Sequence, residues 1–375
     1  MNNIDFTNIE NFESGILSDI NIEEVLGVYN QISLMSVVDR QFINGIIRKT
    51  KPKKILELGV AAGSGTVLIL NAIKDIPDSK LYSIDFLEKW WIDPNKNIGW
   101  IVEEKFNYLA NKWEIYRGGT AARFMEKIGG DIDLCIIDTV HMNPGEILDF
   151  LIILPFLKKE AMLIIHDIQV HINTGMYHNK NTCCNLFSSL KGIKYMPSTD
   201  ELYNIIPNIG LVILDKDIKE HIFDIFFLLS MNWDYNILEE DHNHILQLFT
   251  KYYGKDLIKT YEHLYLYNKT RSKLTYEFDN RINEFDNRIN EFDNRINEQI
   301  YNIETKITKL IDVLAWWIPI KKWRDNFRDK FTRPDQTRPD QTRPDHELIC
   351  QDYIYFYNNS KYKKIQPMLQ YKIAA

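Results

Sequence analysis

From Lys53 onward the hydrophobic positions along the chain switch back and forth between two periods. Short apolar runs at Lys54–Leu58, Lys80–Ile84, Trp113–Tyr116, Leu134–Ile137, Met162–Ile165 and Gly210–Leu214 have the length and flanking turns of buried strands. Apolar positions three and four apart fill the stretches between them. Strands alternating with helices predict an α/β fold: a doubly wound, Rossmann-like, mostly parallel sheet with helices on both faces. This pattern occupies residues 51–217. Before it, residues 1–50 read as N-terminal helices, because Ile22, Val25, Leu26 and Tyr29 recur at helical spacing, as do Val37, Val38, Phe42, Ile43, Ile46 and Ile47. After it, residues 218–272 read as an aromatic-rich helical extension.

At residue 273 the period becomes seven. EFDNRIN occurs three times without variation, at 277–283, 284–290 and 291–297. Ile282, Ile289 and Ile296 take one core position, and Phe278, Phe285 and Phe292 the other, which predicts a coiled coil over 273–317. The seam continues through Ile300, Ile303, Ile307, Leu310, Leu314 and Trp317, and the 4-4-3 spacing from Phe292 to Ile303 is a stutter. With Ile at a and Phe at d, every e is Asp and every g is Arg, so the expected partner is a parallel copy of the same chain. Residues 313–331 place Trp316, Ile320, Trp323, Phe327 and Phe331 on one helical face, with Lys321, Lys322, Arg324, Arg328 and Lys330 around it. Such a helix suits the headgroup layer of an anionic membrane, or packs on protein; its pattern alone leaves both open. Residues 332–345 repeat TRPDQ with Pro334, Pro339 and Pro344 and are expected to be a disordered spacer. The tail, 346–375, carries no chemical signal.

Composition narrows the partners. The net charge of −7 disfavours a nucleic-acid ligand, because phosphate contacts need a basic surface. The four cysteines, Cys135, Cys183, Cys184 and Cys350, show no zinc or redox spacing. The polar, acidic start MNNIDFTNIENFES is not patterned as a secretory signal, and no run reaches the roughly 18–20 apolar residues of a membrane span. A cytoplasmic location is expected, with peripheral contact on the inner face of the cytoplasmic membrane if 313–331 is the membrane helix of the two alternatives.

The chemistry concentrates in ILELGVAAGSGT, Ile55 to Thr66. An apolar strand ends at Glu57-Leu58, and Gly59, Gly63 and Gly65 follow before a helix starting near Val67. Glycines there let backbone amides approach a ligand, and a helix N-terminus offers unpaired N–H groups to a carboxylate. The spacing is not the G-x-G-x-x-G of dinucleotide sites. It resembles motif I of the class I S-adenosylmethionine-dependent methyltransferases. That resemblance implies S-adenosylmethionine as cofactor, bound by Glu57, Gly59, Gly63, Gly65 and Thr66. Asp85, which ends the next strand twenty residues beyond Gly65, is placed to accept ribose hydroxyls, and Phe86 to stack on adenine.

Two further strand ends would face the transferred methyl group. Asp138 ends one strand with His141 three residues on, and His166-Asp167 ends the next. This D-x-x-H, then H-D, looks like the branch holding macrolide-sugar O-methyltransferases and cephalosporin-hydroxylase-like proteins. The resemblance implies His141 as general base beside Asp138, with Mg²⁺ on Asp138 and Asp167. His166 stands where those sugar methyltransferases carry an acid, which makes the metal set Asp138, Asp167 and His166 softer than Mg²⁺ prefers. His171 and His178, in the loop 168–182, have no motif behind them. The expected activity is O-methylation of a sugar or glycan hydroxyl on a surface polysaccharide or glycolipid. Two rivals stay open: a cephalosporin-hydroxylase-like enzyme of other chemistry, and a non-catalytic coiled-coil scaffold that keeps a cofactor-binding domain.

Overall fold

The computed structural model of the chain describes residues 35–169, 181–197 and 208–332. The expectations for Ile22–Tyr29, His171, His178, the proline-rich spacer from 333 and the tail fall outside these residues. The described chain divides into two units at Lys269/Thr270.

In the first unit, α1 (Val37–Thr50) precedes β1 (Lys54–Leu58), α2 (Ser64–Ile73), β2 (Lys80–Asp85), α3 (Trp100–Lys105), β3 (Trp113–Arg117), α4 (Met125–Ile128) and β4 (Ile132–Ile137). Then come α5 (Gly145–Ile153), β5 (Leu157–His166), α6 (Thr182–Ser189), β6 (Gly192–Tyr195), β7 (Ile209–Leu214), α7 (Ile222–Leu228) and α8 (Glu239–Tyr252). The seven strands form one sheet in the order β3-β2-β1-β4-β5-β7-β6. The five strands β1–β5 run parallel, while β7 is antiparallel to both β5 and β6. The chain reverses direction in strand order at β1/β4, so the carboxyl ends of these two strands open a crevice.

Side-chain alternation splits the core into two layers, as the pleat requires. Leu134 and Ile136 of β4 pack with α1 and α2 through Phe42, Ile46, Val67 and Leu70. Cys135 and Ile137 pack on the other face with α5, α7 and α8 through Phe150, Phe226 and Phe249. A capping box starts α1: Ser36 accepts the Asp39 amide, and the Asp39 carboxylate accepts the Ser36 amide at 3.0 Å.

Several boundaries differ from the sequence reading. Strand β6 was not foreseen, because its four residues, GIKY, carry only two apolar side chains. Helix α2 begins at Ser64 rather than near Val67, since Gly63 in the left-handed region already turns the chain into it. The extension and the coiled-coil segment share a helix across the unit boundary at Lys269/Thr270. One helix, α9, runs from Lys255 to Trp316.

The second unit contains most of α9 and α10 (Lys321–Thr332). The expected single face over 313–331 is corrected here. Pro319 lacks the amide a continuing helix needs and disfavours the helical conformation at Ile318, so α9 stops at Trp316 and α10 restarts at Lys321. Trp316 and Ile320 therefore do not share a helix with Trp323 and Phe327. Arg328 pairs with Asp312 at 2.9 Å, and Arg324 lies over the Trp316 ring at 5.4 Å. No helix among the described residues is long and apolar enough to cross a membrane.

Candidate active site

The glycine-rich turn connects β1 to α2 at the crevice. Gly59 has φ +88°, and a Cβ there would stand 1.8 Å from the Asp138 carbonyl oxygen. Gly63 has φ +102°, with the Cα of Gly99 3.0 Å from where its Cβ would be. The first position is thus closed by β4 and the second by the loop before α3. Gly99 itself was not foreseen; a Cβ on it would meet the Trp113 ring at 2.8 Å. No side chain caps the start of α2, so its first amides are presented toward the crevice.

The charged residues of this turn are used in different ways. Glu57 and Thr66 are buried against each other: both Glu57 oxygens accept from the Thr66 hydroxyl, at 3.1 and 2.9 Å, and Oε2 also accepts from Ser83 at 2.6 Å. Asp85 Oδ2 accepts the Val60 and Ala61 amides at 2.9 and 3.0 Å, and Oδ1 the Leu87 amide at 2.9 Å. Asp85 therefore fixes the turn from the β2 side and keeps lone-pair capacity on Oδ1. Phe86 beside it is 41% exposed, which leaves a ring face open for stacking.

Burial is the main influence on Glu57: it pushes the carboxyl up to about 7, against the pull of Ser83 and Thr66. The carboxyl ionises more easily in the unfolded chain, near 4.5, than in the folded one. Its contribution is therefore fully present below about 4.5 and lost as pH rises toward about 7. We expect Glu57→Gln to be more stable than the unsubstituted protein at pH 8, by on the order of 3 kcal/mol, and the gap to close at pH 4.5. Denaturant unfolding of both proteins at the two pH values tests this; a gap independent of pH refutes it.

At the ends of β4 and β5 the predicted site residues converge. His141 Nε2 lies 3.0 Å from Asp167 Oδ2 and 3.7 Å from Asp138 Oδ1. Both His141 (φ 56°) and Asp167 (φ 57°) sit in the left-handed region, a cost of order 1 kcal/mol each that surrounding contacts must hold. Asn208 donates to Asp167 Oδ1 at 2.6 Å and fixes its other edge. Ligand atoms of Asp138, His141 and Asp167 all lie within 4.8 Å of one another, a set able to hold a divalent cation.

His166 lies beside the same two carboxylates and also reaches α1. Its ring is buried, with Nδ1 3.3 Å from Asp138 and 3.5 Å from Asp167, and Nε2 3.4 Å from Asp39. It bridges α1 to the ends of β4 and β5, while His141 takes the position in the ligand set. Burial alone would lower the His166 pKa, but the Asp138 charge and hydrogen bonds to Asp138, Asp167 and Asp39 raise it well above the ordinary value. Burial opposes charge at His141 too, where the Asp167 hydrogen bond and the Asp138, Asp167 and Glu146 charges lift it to about 9. Asp167 responds in the opposite sense: burial would raise it, and the two imidazoles hold it far below the carboxylate range.

A layer of residues that the motifs did not reveal supports His141 from below. Glu146 accepts the His141 backbone amide and, at 3.0 Å, the Thr139 hydroxyl, which also lies 2.9 Å from Asp149. Burial raises both carboxyls, Asp149 to about 7. The sequence did carry a signal: two acids one turn apart in the otherwise apolar helix GEILDFLII. The extension also reaches the site. Asn143 and Asp234 exchange backbone and side-chain bonds at 2.8 and 2.9 Å, clamping the loop that carries His141.

Residues 56–168 match the family model described as a methyltransferase domain. Over that span, with this strand order, glycine turn and acidic β2 end, the chain is similar to a methyltransferase domain on a Rossmann-like sheet. No curated protein matches it. Solved structures similar to it include the O-methyltransferase TomG of Streptomyces achromogenes, involved in tomaymycin synthesis and solved with S-adenosylmethionine. It is 12% identical, covers 54% of this chain and 91% of its own, and has a TM-score of 0.39. An O-methyltransferase of Bacillus cereus, in complex with S-adenosylhomocysteine, is 16% identical over 55% of this chain and 99% of its own, at 0.38. Methyltransferase PaMTH1 of Podospora anserina, also bound to S-adenosylhomocysteine, is 12% identical over 52% and 87%, at 0.40.

Proposed function

We propose that this protein transfers a methyl group from S-adenosylmethionine to a hydroxyl of a sugar, within a polysaccharide or glycolipid. The observation that carries the reading is the 3.0 Å pairing of His141 Nε2 with Asp167 Oδ2, beside the turn that closes on Asp138. The cofactor supplies an activated methyl on a sulfonium centre. Gly59 and Gly63 let the turn close against the Asp138 carbonyl and Gly99, the uncapped start of α2 would receive its carboxylate, and Asp85 Oδ1 and Phe86 would meet its nucleoside. Transfer to a hydroxyl requires alignment and removal of one proton. His141, in its neutral form, receives that proton, and Asp167, 3.0 Å from Nε2, orients the ring and stabilises the imidazolium that results. Asp138 and Asp167, acceptor-only groups when ionised, take hydrogen bonds from neighbouring hydroxyls of a polyol.

The donor set fits a divalent cation. Held on Asp138 and Asp167, it would polarise the acceptor oxygen and, by its charge, lower the proton affinity of the His141 ring.

The test is conversion of S-adenosylmethionine to S-adenosylhomocysteine with fractionated cell glycans, with products read by mass spectrometry. A mass gain of one methyl on a sugar is expected. Conversion stops in excess chelator and returns with Mg²⁺ or Mn²⁺ if the cation takes part. Glycolipid acceptors are presented both in anionic vesicles and in detergent. The exposed Trp316, Trp317 and Trp323, with Lys321 and Lys322, favour faster turnover on the vesicles. Methylation confined to a non-sugar fraction sinks the reading.

A further inference from the structure

Among the described residues, nothing covers the apolar stripe that the second unit presents. Along α9, Phe278, Phe285 and Phe292 are 62–64% exposed, and Ile282, Ile289 and Ile296 are 38–45% exposed. Ile300, Ile303, Ile307, Leu310 and Leu314 continue the stripe, each between 48% and 59% exposed. A helix of this length that leaves about five heptads of seam in water loses the burial that normally stabilises helices.

We infer that a second copy of this chain covers the stripe, parallel and in register. Because the three heptads are identical, in-register copies stack isoleucine on isoleucine and phenylalanine on phenylalanine, so the surface is complementary to itself. Charge decides the direction. In parallel helices a g residue meets the e′ residue five positions on, which sets Arg281 against Asp286 and Arg288 against Asp293 of the second copy, twice over by symmetry. An antiparallel pair sets g against g and e against e, Arg against Arg and Asp against Asp. Identical heptads alone would tolerate a slip of seven residues. The 4-4-3 spacing Phe292–Ile296–Ile300–Ile303 fixes the register, because slipped copies would oppose a stutter with a regular heptad.

The full-length chain is the sample, and light scattering gives its mass. A multimer is expected, and Ile282→Asp with Ile289→Asp should weaken association by on the order of 10²-fold or more, because buried aspartates find no partner. Circular dichroism of the variant checks that the first unit remains folded. Direction is read separately with Ile282→Cys, which places thiols face to face only in parallel, in-register copies. With Cys184→Ser and Cys350→Ser in both proteins, oxidation should then produce a reducible dimer only in the chain that carries Ile282→Cys. A monomeric full-length chain overturns the inference. So does a multimer unaffected by the two aspartates, or one in which the Ile282→Cys chains fail to cross-link.

Discussion

His141→Ala is expected to lower turnover by on the order of 10²- to 10⁴-fold while cofactor affinity changes by less than about twofold. The ring meets Asp167, Asp138 and Glu146, and its backbone amide also meets Glu146; among the described residues no hydrogen bond joins it to the glycine turn. Removing the imidazole leaves the acceptor hydroxyl without a group to take its proton, and leaves Asp167 with its Asn208 and His166 contacts. One complication is the backbone. His141 sits at φ 56°, where alanine costs more than asparagine. His141→Asn keeps the left-handed geometry and a polar side chain but offers no base of useful strength. The two variants should fall together if the base is what was lost. If His141→Asn keeps near-normal turnover while His141→Ala fails, the ring is structural and the proton goes elsewhere. Calorimetry with S-adenosylmethionine and a product assay on the same samples separate affinity from rate.

The parts of this protein legible in the sequence are those set by local rules. β1 and β2 were readable as apolar runs ending in acids, and the glycine turn by its spacing, because both follow from a single segment meeting its own backbone requirements. Asp138 and His141 were readable for the same reason. What escaped depends on distant segments. Asp39 reaches His166 across more than a hundred residues, and Asp234 braces Asn143 from the extension. Glu57 and Thr66 belong to the motif, yet their mutual hydrogen bonds turn them inward, which a spacing cannot reveal. His166 was read by its position in sequence as a partner of Asp138 and Asp167; its further contact with Asp39 of α1 was not legible there. At the far end, a periodicity continuing past Ile318 outweighed the single Pro319 that ends it.

The three glycines of the turn should respond to alanine in a steep order, Gly59 worst, then Gly63, with Gly65 almost silent. At Gly59 the new Cβ would stand 1.8 Å from the Asp138 carbonyl oxygen and 2.8 Å from its carbon, at φ +88°. Those atoms are backbone, in the segment where the Asp138 amide bonds Leu58, so no side chain can swing aside. Relief requires β1 and β4 to part at their carboxyl ends, which displaces His141 as well as the cofactor turn. A loss above about 4 kcal/mol, with cofactor binding and turnover both gone, is expected. Gly63 is also strained, but its nearest neighbour, Gly99 Cα at 3.0 Å, lies in a loop that can give a few tenths of an ångström. At Gly65 there is no unusual φ, and the Cβ would meet Glu57 Oε1 at 3.5 Å and Met35 Cε at 3.9 Å, ordinary contacts pointing inward from the crevice. Alanine there also suits the first turn of α2, by roughly 0.5–1 kcal/mol over glycine. Its melting temperature should match or exceed that of the unsubstituted protein, with cofactor affinity retained. Thermal unfolding and calorimetry on the three variants give the ranking. A Gly65→Ala protein that is stable yet blind to the cofactor would mean that the ligand itself, rather than the fold, requires glycine at that position.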